Sequence, residues 1–154
     1  GIRHGVGIVD HIEDRIVGLK VRDIYEVPAA AIILPAHAEL ERLTGTIHQN
    51  QFKPDLDRQW GYLVYAGLWW EQLLRNPDSY MDSGNERGTI GIKLFKGHAR
   101  VVTRESPNAV YSASLASFEQ SGGLFSQNAS PGFIELWSLQ SRLAWRLEHE
   151  GGEG

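Results

Sequence analysis

The sequence of 154 residues contains no cysteine. Disulfide bridges and thiolate metal sites are therefore excluded, and a reducing compartment such as the cytoplasm fits this composition. No apolar run reaches the roughly 18 residues that a membrane-spanning helix needs. The formal net charge is −4 and no long basic tract is present, which argues against nucleic acid and anionic membranes as main partners.

Methionine is also nearly absent, because Met81 is the only one and the chain starts Gly-Ile-Arg-His. We therefore expect a further segment to precede Gly1 in a longer parent protein. Hydrophobic residues make up 42% of the chain and charged residues 22%, a composition typical of globular proteins. This length and composition predict one domain over residues 1–154.

Apolar spacing and turn residues predict helices, strands and irregular segments in alternation. The helices are predicted from Pro28 to Gly45 with a kink at Pro35, after Pro54, near 69–74 and over 131–148. The strands are predicted over 5–25 and, as a hairpin turning at Lys96–Gly97–His98, over 89–105. The remaining segments, 75–88 and 106–128, are predicted to be irregular. Together they indicate an α+β fold with a largely antiparallel sheet, packed helices and a C-terminal helix.

The stretch "VDHIEDRIVGLKVRDIYEVP" (residues 9–28) mixes strand-forming residues with eight formal charges of both signs. Two interpretations stay open at this point. The charges lie on a solvated sheet face, or they form a polar site at the end of the sheet. A single surface carboxylate seldom has a function, so the residues alone support only a candidate polar site near residues 10–26.

Three other patterns are interpreted as structural. "SGGLFS" (121–126) is similar to a pyrophosphate-binding loop, but Phe125 replaces its acidic residue, and a connector is favoured. "LVYAGLWW" (63–70) has aromatic residues that suit a stacking site, although burial in the core is favoured. The six histidines have no i,i+4 pair, so no metal site is predicted.

Six blocks of sequence, in order and over nearly the whole chain, resemble the C-terminal domain of argininosuccinate synthase. They are "HGVGIVDHIEDRIVGLKVRDIYEVPA", "AHAELERLT", "LVYAGLWW", "KLFKGHARVVTRESPNAVYS", "ASFE" and "GFIELWSLQ". The first block is the most specific.

The resemblance implies part of a ligase that condenses citrulline with aspartate and converts ATP into AMP and pyrophosphate. It further implies that ATP, with Mg²⁺, is bound mainly by an N-terminal domain outside residues 1–154, so no cofactor and no catalytic residue are expected in this chain. The fragment alone is expected to be inactive. Its expected partners are citrulline, its own N-terminal domain and further copies in a cytoplasmic homotetramer.

The resemblance also assigns two citrulline-binding residues by motif. Glu13 stands at the glutamate before Asp-Arg, and Tyr25 begins the Tyr-Glu-x-Pro motif. Both should belong to one pocket wall, so the chain must fold back between them, with Arg15 and Gly18 as candidate bends. We expect Lys20 and Arg22 to balance the acidic residues of this wall, which are Glu13, Asp23 and Glu26.

Some positions depart from the family pattern. Val21 stands where serine is usual, and Ser126 and Asn128 stand where aspartate is common. Residues 75–88 lack the helical character of the family. These departures motivate an alternative, a non-catalytic binding or oligomerisation module derived from the domain. A tryptophan-lined carbohydrate-binding module is a more distant alternative.

Overall fold

The computed structural model describes residues 2–113 and 125–149. A short 3-10 helix (Ile2–His4) precedes β1 (Ile8–Asp14), β2 (Lys20–Glu26), α1 (Pro28–Thr44), α2 (Ile47–Tyr65), α3 (Gln72–Asp82), β3 (Thr89–Phe95), β4 (His98–Glu105), α4 (Ala129–Trp137) and α5 (Leu139–His149). The α+β class is confirmed. The chain forms two compact units, Gly1–Tyr111 and Ser112–Gly154. That residues 1–154 act as a single domain stays a prediction.

The predicted extended segment is an antiparallel hairpin of β1 and β2. Its turn is closed by two backbone hydrogen bonds, from Arg15 N–H to the Leu19 carbonyl (2.8 Å) and from Gly18 N–H to the Arg15 carbonyl (2.8 Å). Gly18 has a φ of +81°, which residues other than glycine rarely adopt. The predicted bends at Arg15 and Gly18 are therefore confirmed.

Helix α1 begins and ends where the sequence predicts. Pro28 occupies its first turn, where the missing N–H costs no helical hydrogen bond. The Val27 N–H donates to the Gly7 carbonyl (2.7 Å), so the base of the first hairpin is tied to the start of the helix. At the other end the Gly45 N–H donates to the Glu41 carbonyl (2.7 Å). Pro35 lies inside the helix, and the kink there stays a prediction.

The start of α2 was predicted wrongly, because the helix begins at Ile47 rather than after Pro54. The reason is a capping box that the sequence contains. The Thr46 hydroxyl accepts from the Gln49 N–H, and the Gln49 side chain accepts from the Thr46 N–H. These two bonds satisfy donors that a helix start otherwise leaves unpaired.

The prediction of an irregular segment over 75–88 is wrong up to Asp82, because α3 extends from Gln72 to Asp82. Tertiary contacts outweigh the turn-forming composition here. Leu74 and Pro77 are buried, and the Trp60 indole N–H of α2 donates to Asp78 Oδ1 (2.7 Å). This segment is therefore no departure from a helical family pattern.

The second hairpin turns at two residues with positive φ, Lys96 (+44°) and Gly97 (+82°), so the predicted hairpin over 89–105 is confirmed. A register irregularity lies between Gly91 and Ile92. One face of this hairpin lies against α1, where apolar side chains of both elements line a shared groove of about 360 Å³. The apolar residues of the groove are Ile32, Ile33, Ala36, Leu40, Ile90 and Ile92.

The aromatic segment after α2 is not core, contrary to prediction. Leu63 is buried, with 5% of its area exposed, whereas Trp69 and Trp70 are 56% and 96% exposed. Helix α2 ends at Tyr65 and Gly67 adopts a φ of +73°, so the tryptophans leave the helical face that buries Leu63. The spacing of Trp69 and Trp70 fits a helix, but α2 does not extend as far as these residues.

The C-terminal helical prediction over 131–148 is confirmed in type and corrected in detail. Two helices are present, α4 and α5, and Ser138 separates them. Asn128, not Ser130, precedes the first helix, and its side chain makes no capping hydrogen bond. Large apolar side chains of both helices are exposed, among them Leu136 (71%), Trp137 (78%) and Leu147 (69%).

Candidate ligand site on the first hairpin

One face of the first hairpin gathers the candidate polar residues. Side chains alternate between the two faces of a strand, so odd-numbered residues of β1 and their cross-strand partners share a face. His11 faces Asp23 in the register, Val9 faces Tyr25, and Glu13 faces Val21. Arg15 follows β1 directly and, as the next odd-numbered residue, belongs to the same face. Glu13 and Tyr25, twelve residues apart in sequence, thereby come into contact.

The Tyr25 hydroxyl lies between two carboxylates. It is 3.1 Å from Glu13 Oε2 and 3.2 Å from Asp23 Oδ2, and with one proton it donates to one of them at a time. Its pKa is raised, first by burial and then by these hydrogen bonds. Tyr25 therefore stays a neutral hydrogen-bond donor at physiological pH.

Arg15 is the cation of the cluster. Its Nη2 atom is 2.5 Å from Asp23 Oδ2 and 3.0 Å from Glu13 Oε1. A hydrogen bond with Tyr65 of α2 is the largest cause that raises the pKa of Arg15, although desolvation acts against it. The guanidinium thus pairs with carboxylates of both strands of the hairpin and stays charged.

Glu13 retains acceptor capacity. Its side chain is 23% exposed, and its Oε2 atom accepts from Tyr25 and lies 3.2 Å from His11 Nε2. Its Oε1 atom is buried and receives no hydrogen bond within the described residues. Arg15 Nη2 lies 3.0 Å from this atom, at ion-pair distance but outside hydrogen-bond geometry. A buried carboxylate oxygen that receives an ion-pair contact but no hydrogen bond is uncommon in folded proteins, and it leaves Glu13 with unused acceptor capacity.

The cluster carries an excess negative charge. Glu13 and Asp23 contribute two negative charges and Arg15 one positive charge, so with neutral histidine the sum is −1. Val21, opposite Glu13, has no polar atom to add a further hydrogen bond. Such a surface favours ligands that bring N–H donors or an ammonium group.

The opposite face of the hairpin explains why the segment carries charges of both signs. Arg22 donates to both oxygens of Asp10 (2.8 and 2.6 Å), and Lys20 lies 2.5 Å from Asp14. The expectation that Lys20 and Arg22 balance the acidic wall is therefore wrong, because their side chains pair on the other face. Arg15 takes that role.

Two cluster members were missed by the sequence interpretation, Arg15 and His11. The signal that identifies them is the alternation of side chains along a strand, which brings every second residue to the same face. Residues 11, 13 and 15 share one face of an extended strand, and a turn that pairs residue 11 with residue 23 brings 23 and 25 to the same face. The interpretation as a solvated face holds for one face, which is a ladder of ion pairs. The other face carries a polar cluster, and its role as a site stays a prediction.

Other site types receive no support within residues 2–113 and 125–149. In these ranges no group of three or more histidine, aspartate or glutamate side chains is arranged to hold a metal ion. No described helix is both long and apolar enough to cross a membrane. Most of "SGGLFS" (121–126) lies outside the described residues, so its interpretation as a connector stays a prediction.

Comparison with known proteins identifies the family of the chain. A family model described as "Arginosuccinate synthase C-terminal domain" matches residues 1–144. The argininosuccinate synthase of Pyrococcus furiosus is 44% identical over 149 residues, which cover 96% of this chain and 36% of that protein. The enzyme named argininosuccinate synthase from Methanopyrus kandleri is 45% identical over 145 residues, 93% of this chain and 36% of that protein.

The same name belongs to a relative from Oceanobacillus iheyensis, 42% identical over 143 residues, which cover 92% of this chain and 34% of that protein. The chain thus spans about a third of the length of these relatives. A match over residues 1–144 of 154 leaves little of the chain outside it. On these grounds the chain belongs to the argininosuccinate synthase C-terminal domain family.

Proposed function

We propose that this chain supplies the citrulline-binding wall and an assembly surface of an argininosuccinate synthase. The observation that carries the first half is the contact between Glu13 and Tyr25, 3.1 Å from oxygen to oxygen, on one face of the first hairpin. The two residues that the family motif assigns to citrulline are thus adjacent in space.

The chemistry of the cluster suits this ligand. Citrulline brings an ammonium group and ureido N–H donors, and it also carries a carboxylate and a ureido oxygen that accept hydrogen bonds. Glu13 offers a partly exposed carboxylate with unused acceptor capacity, while Tyr25 offers a hydroxyl that donates or accepts. The net charge of −1 attracts the ammonium end. Arg15, paired with Asp23, keeps the Glu13 carboxylate in place.

The chemical step itself belongs to the longer protein. The relatives are about three times as long as the matched region, and we assign ATP with Mg²⁺, aspartate and bond formation to the portion outside it. The isolated chain is then inactive, and the cytoplasmic enzyme requires both parts. A non-catalytic module derived from the same domain is the alternative, and the activity of the parent protein separates the two.

The test is Glu13→Gln in the parent protein that contains this chain. The change keeps the size of the side chain and removes its charge. Because a charge-assisted hydrogen bond contributes roughly 1.5–3 kcal/mol, the apparent affinity for citrulline should fall about 10- to 150-fold while that for ATP changes little. Steady-state kinetics with each substrate varied in turn gives both values.

A matched control lies next to Glu13. Asp14 is on the opposite face, and its side chain is 72% exposed and paired with Lys20. Asp14→Asn removes the same charge without touching the cluster, so citrulline affinity should stay near that of the unmodified enzyme. An equal loss in both variants, or an effect of Glu13→Gln on ATP alone, would contradict the citrulline assignment.

The assembly half of the proposal rests on α4 and α5. Their large apolar side chains are half to four-fifths exposed, more than a solvated helix surface normally carries. Trp145 is 56% exposed and stacks on His149 at 4.6 Å between ring centroids. Apolar helices of this kind are typical of surfaces that other subunits cover.

Replacing Trp145 by alanine tests the assembly surface. A tryptophan that anchors an interface contributes about 2 kcal/mol or more to association, so Trp145→Ala should give a smaller assembly by light scattering. The thermal melt should stay cooperative. Arg146→Ala, at an exposed charged neighbour in the same helix, should leave the mass unchanged. An unchanged mass in Trp145→Ala, or a monomer before any substitution, would contradict this role.

A further inference from the structure

The tip of the second hairpin concentrates positive charge on its outer face. Lys93 and Arg100 are cross-strand partners, as are Phe95 and His98, and all four side chains are exposed. Lys96 lies in the turn between them. Like charges placed directly opposite each other in a sheet repel, so the Lys93–Arg100 pair costs the free protein some stability.

These cations have no acidic partner in the part of the chain that the structure describes. No described carboxylate lies within ion-pair distance of Lys93, Lys96 or Arg100. Most other cations of the Gly1–Tyr111 unit form ion pairs, namely Arg15, Lys20, Arg22, Arg42, Lys53, Arg58 and Arg104. In a chain with a net charge of −4, the hairpin tip is thus an unneutralised positive patch.

The patch also contains an open depression. The depression has a volume of about 310 Å³ and is lined by Lys93, Phe95, His98 and Arg100. Phe95 is 57% exposed, and the ammonium groups of Lys93 and Lys96 lie 5.9 and 5.3 Å from its ring centroid. The aromatic ring therefore keeps two cations on the same side of the hairpin.

The N-terminal segment fixes this tip. The Gly97 N–H donates to the His4 carbonyl at 2.6 Å, so the turn is anchored although it lies at the end of a hairpin. Arg3, exposed and one residue before this contact, brings a further cation close to the turn. An anchored turn loses little freedom when a ligand binds, which favours affinity.

We propose that the tip of the second hairpin binds a compact, multiply charged phosphate anion of triphosphate size. Arginine and lysine are the side chains that recognise phosphate oxygens, and three of them lie around one turn without an ion-pair partner among the described residues, namely Lys93, Lys96 and Arg100. An extended acidic peptide fits less well. Its successive side chains alternate in direction about every 3.3 Å, so few of its carboxylates would reach one cluster of cations. Free triphosphate and the phosphate chain of a nucleotide share this chemistry.

The proposal is tested by calorimetric titration of the 154-residue chain with inorganic triphosphate at low salt. The double variant Lys93→Gln with Arg100→Gln should bind about ten-fold more weakly or not at all. Arg58→Gln with Arg75→Gln removes the same two charges from α2 and α3, and its affinity should stay within about two-fold of the unmodified chain. A nucleoside triphosphate that binds no more tightly than triphosphate identifies the phosphate chain as the recognised part.

The same variants report on the free protein. Because Lys93→Gln with Arg100→Gln relieves a like-charge pair, its melting temperature without ligand should be equal or higher, so weaker binding cannot be assigned to unfolding. Equal loss of affinity in both double variants would overturn the proposal, since it would indicate attraction by overall charge. Tighter binding of a poly-glutamate peptide or a single-stranded oligonucleotide than of triphosphate would overturn it as well.

Discussion

The two hairpins of the Gly1–Tyr111 unit have the same antiparallel pairing and opposite surroundings. In the first, Ile12 and Ile24 are 68% and 63% exposed, and charges of both signs pair across the strands. In the second, Ile90 and Ile92 are largely covered beside α1, and the cations on the outer face are unpaired. Packing holds the second hairpin, whereas the first relies on its turn, its base and its ion pairs.

This difference shows that two hairpins with the same strand pairing expose different surfaces to ligands in this domain. A hairpin that buries one face against a helix has only its other face available for a ligand. The first hairpin buries neither face fully, so it can present the polar cluster around Glu13 while its second face stays available for a further contact. An isolated two-stranded hairpin is only marginally stable, so such a contact would add much to its stability.

The largest expected change in the free energy of unfolding is at the base of the first hairpin. Gly7 has a φ of +102°, and a Cβ placed there would lie 2.3 Å from Pro28 Cα. Gly7→Ala therefore combines backbone strain with a clash against α1, and it should lower the free energy of unfolding by about 3 kcal/mol or more. Urea denaturation measures this change.

The turn of the same hairpin is the control. Gly18 also has a positive φ, +81°, but a Cβ there meets nothing within 4 Å. Gly18→Ala should cost only the strain of the left-handed conformation, about 1 kcal/mol. If both substitutions cost the same, contact with α1 does not hold the base of the hairpin.

The next effect compares equivalent side chains of the two hairpins. Ile92→Ala removes a side chain that lines the groove against α1, so it should cost about 2 kcal/mol. Ile12 is 68% exposed, and Ile12→Ala should cost about 0.5 kcal/mol or less in the isolated chain. Both changes lower strand propensity alike, so their difference in urea denaturation isolates packing. Equal costs would show that α1 does not stabilise the second hairpin.

The sequence predicts more of the second hairpin than of its surroundings. Alternation and a Lys96–Gly97 turn are local signals, and they place both strands correctly. The helix through Pro77 depends on contacts such as that between Trp60 and Asp78, which no local pattern contains. The same holds for the exposure of Trp70, because it depends on where α2 ends.

For the candidate site, the family motif predicts Glu13 and Tyr25, and the hairpin turn predicts that they meet. The role of Arg15 was not predicted, since its partner Asp23 lies eight residues away and pairs with it only in one register. A one-residue shift in register would move every side chain to the other face. The assignment of citrulline to this cluster stays a prediction.

The smallest effect concerns the ion pairs of the two hairpins under acid. Glu39 of α1 accepts from Arg104 of β4 at 2.6 Å, and this hydrogen bond is the main reason that its pKa lies below the ordinary value of 4.5. A carboxyl whose pKa is lowered by folding stabilises the protein above its unfolded pKa, and this contribution is lost as the pH falls through the folded value.

Glu39→Gln should therefore cost up to about 1 kcal/mol at neutral pH, because the partner Arg104 is 44% exposed and water weakens the pair. The difference between the two proteins should shrink as the pH falls below 4.5, as measured by urea denaturation at several pH values. Asp10→Asn breaks the pair with Arg22 on the first hairpin, where the pKa of Asp10 is also lowered by that hydrogen bond. It should show the same sign and a smaller effect, since this pair joins two strands at the surface and no helix. A cost of Glu39→Gln that grows towards acid would mean that Glu39 does not hold the second hairpin to α1 as a carboxylate.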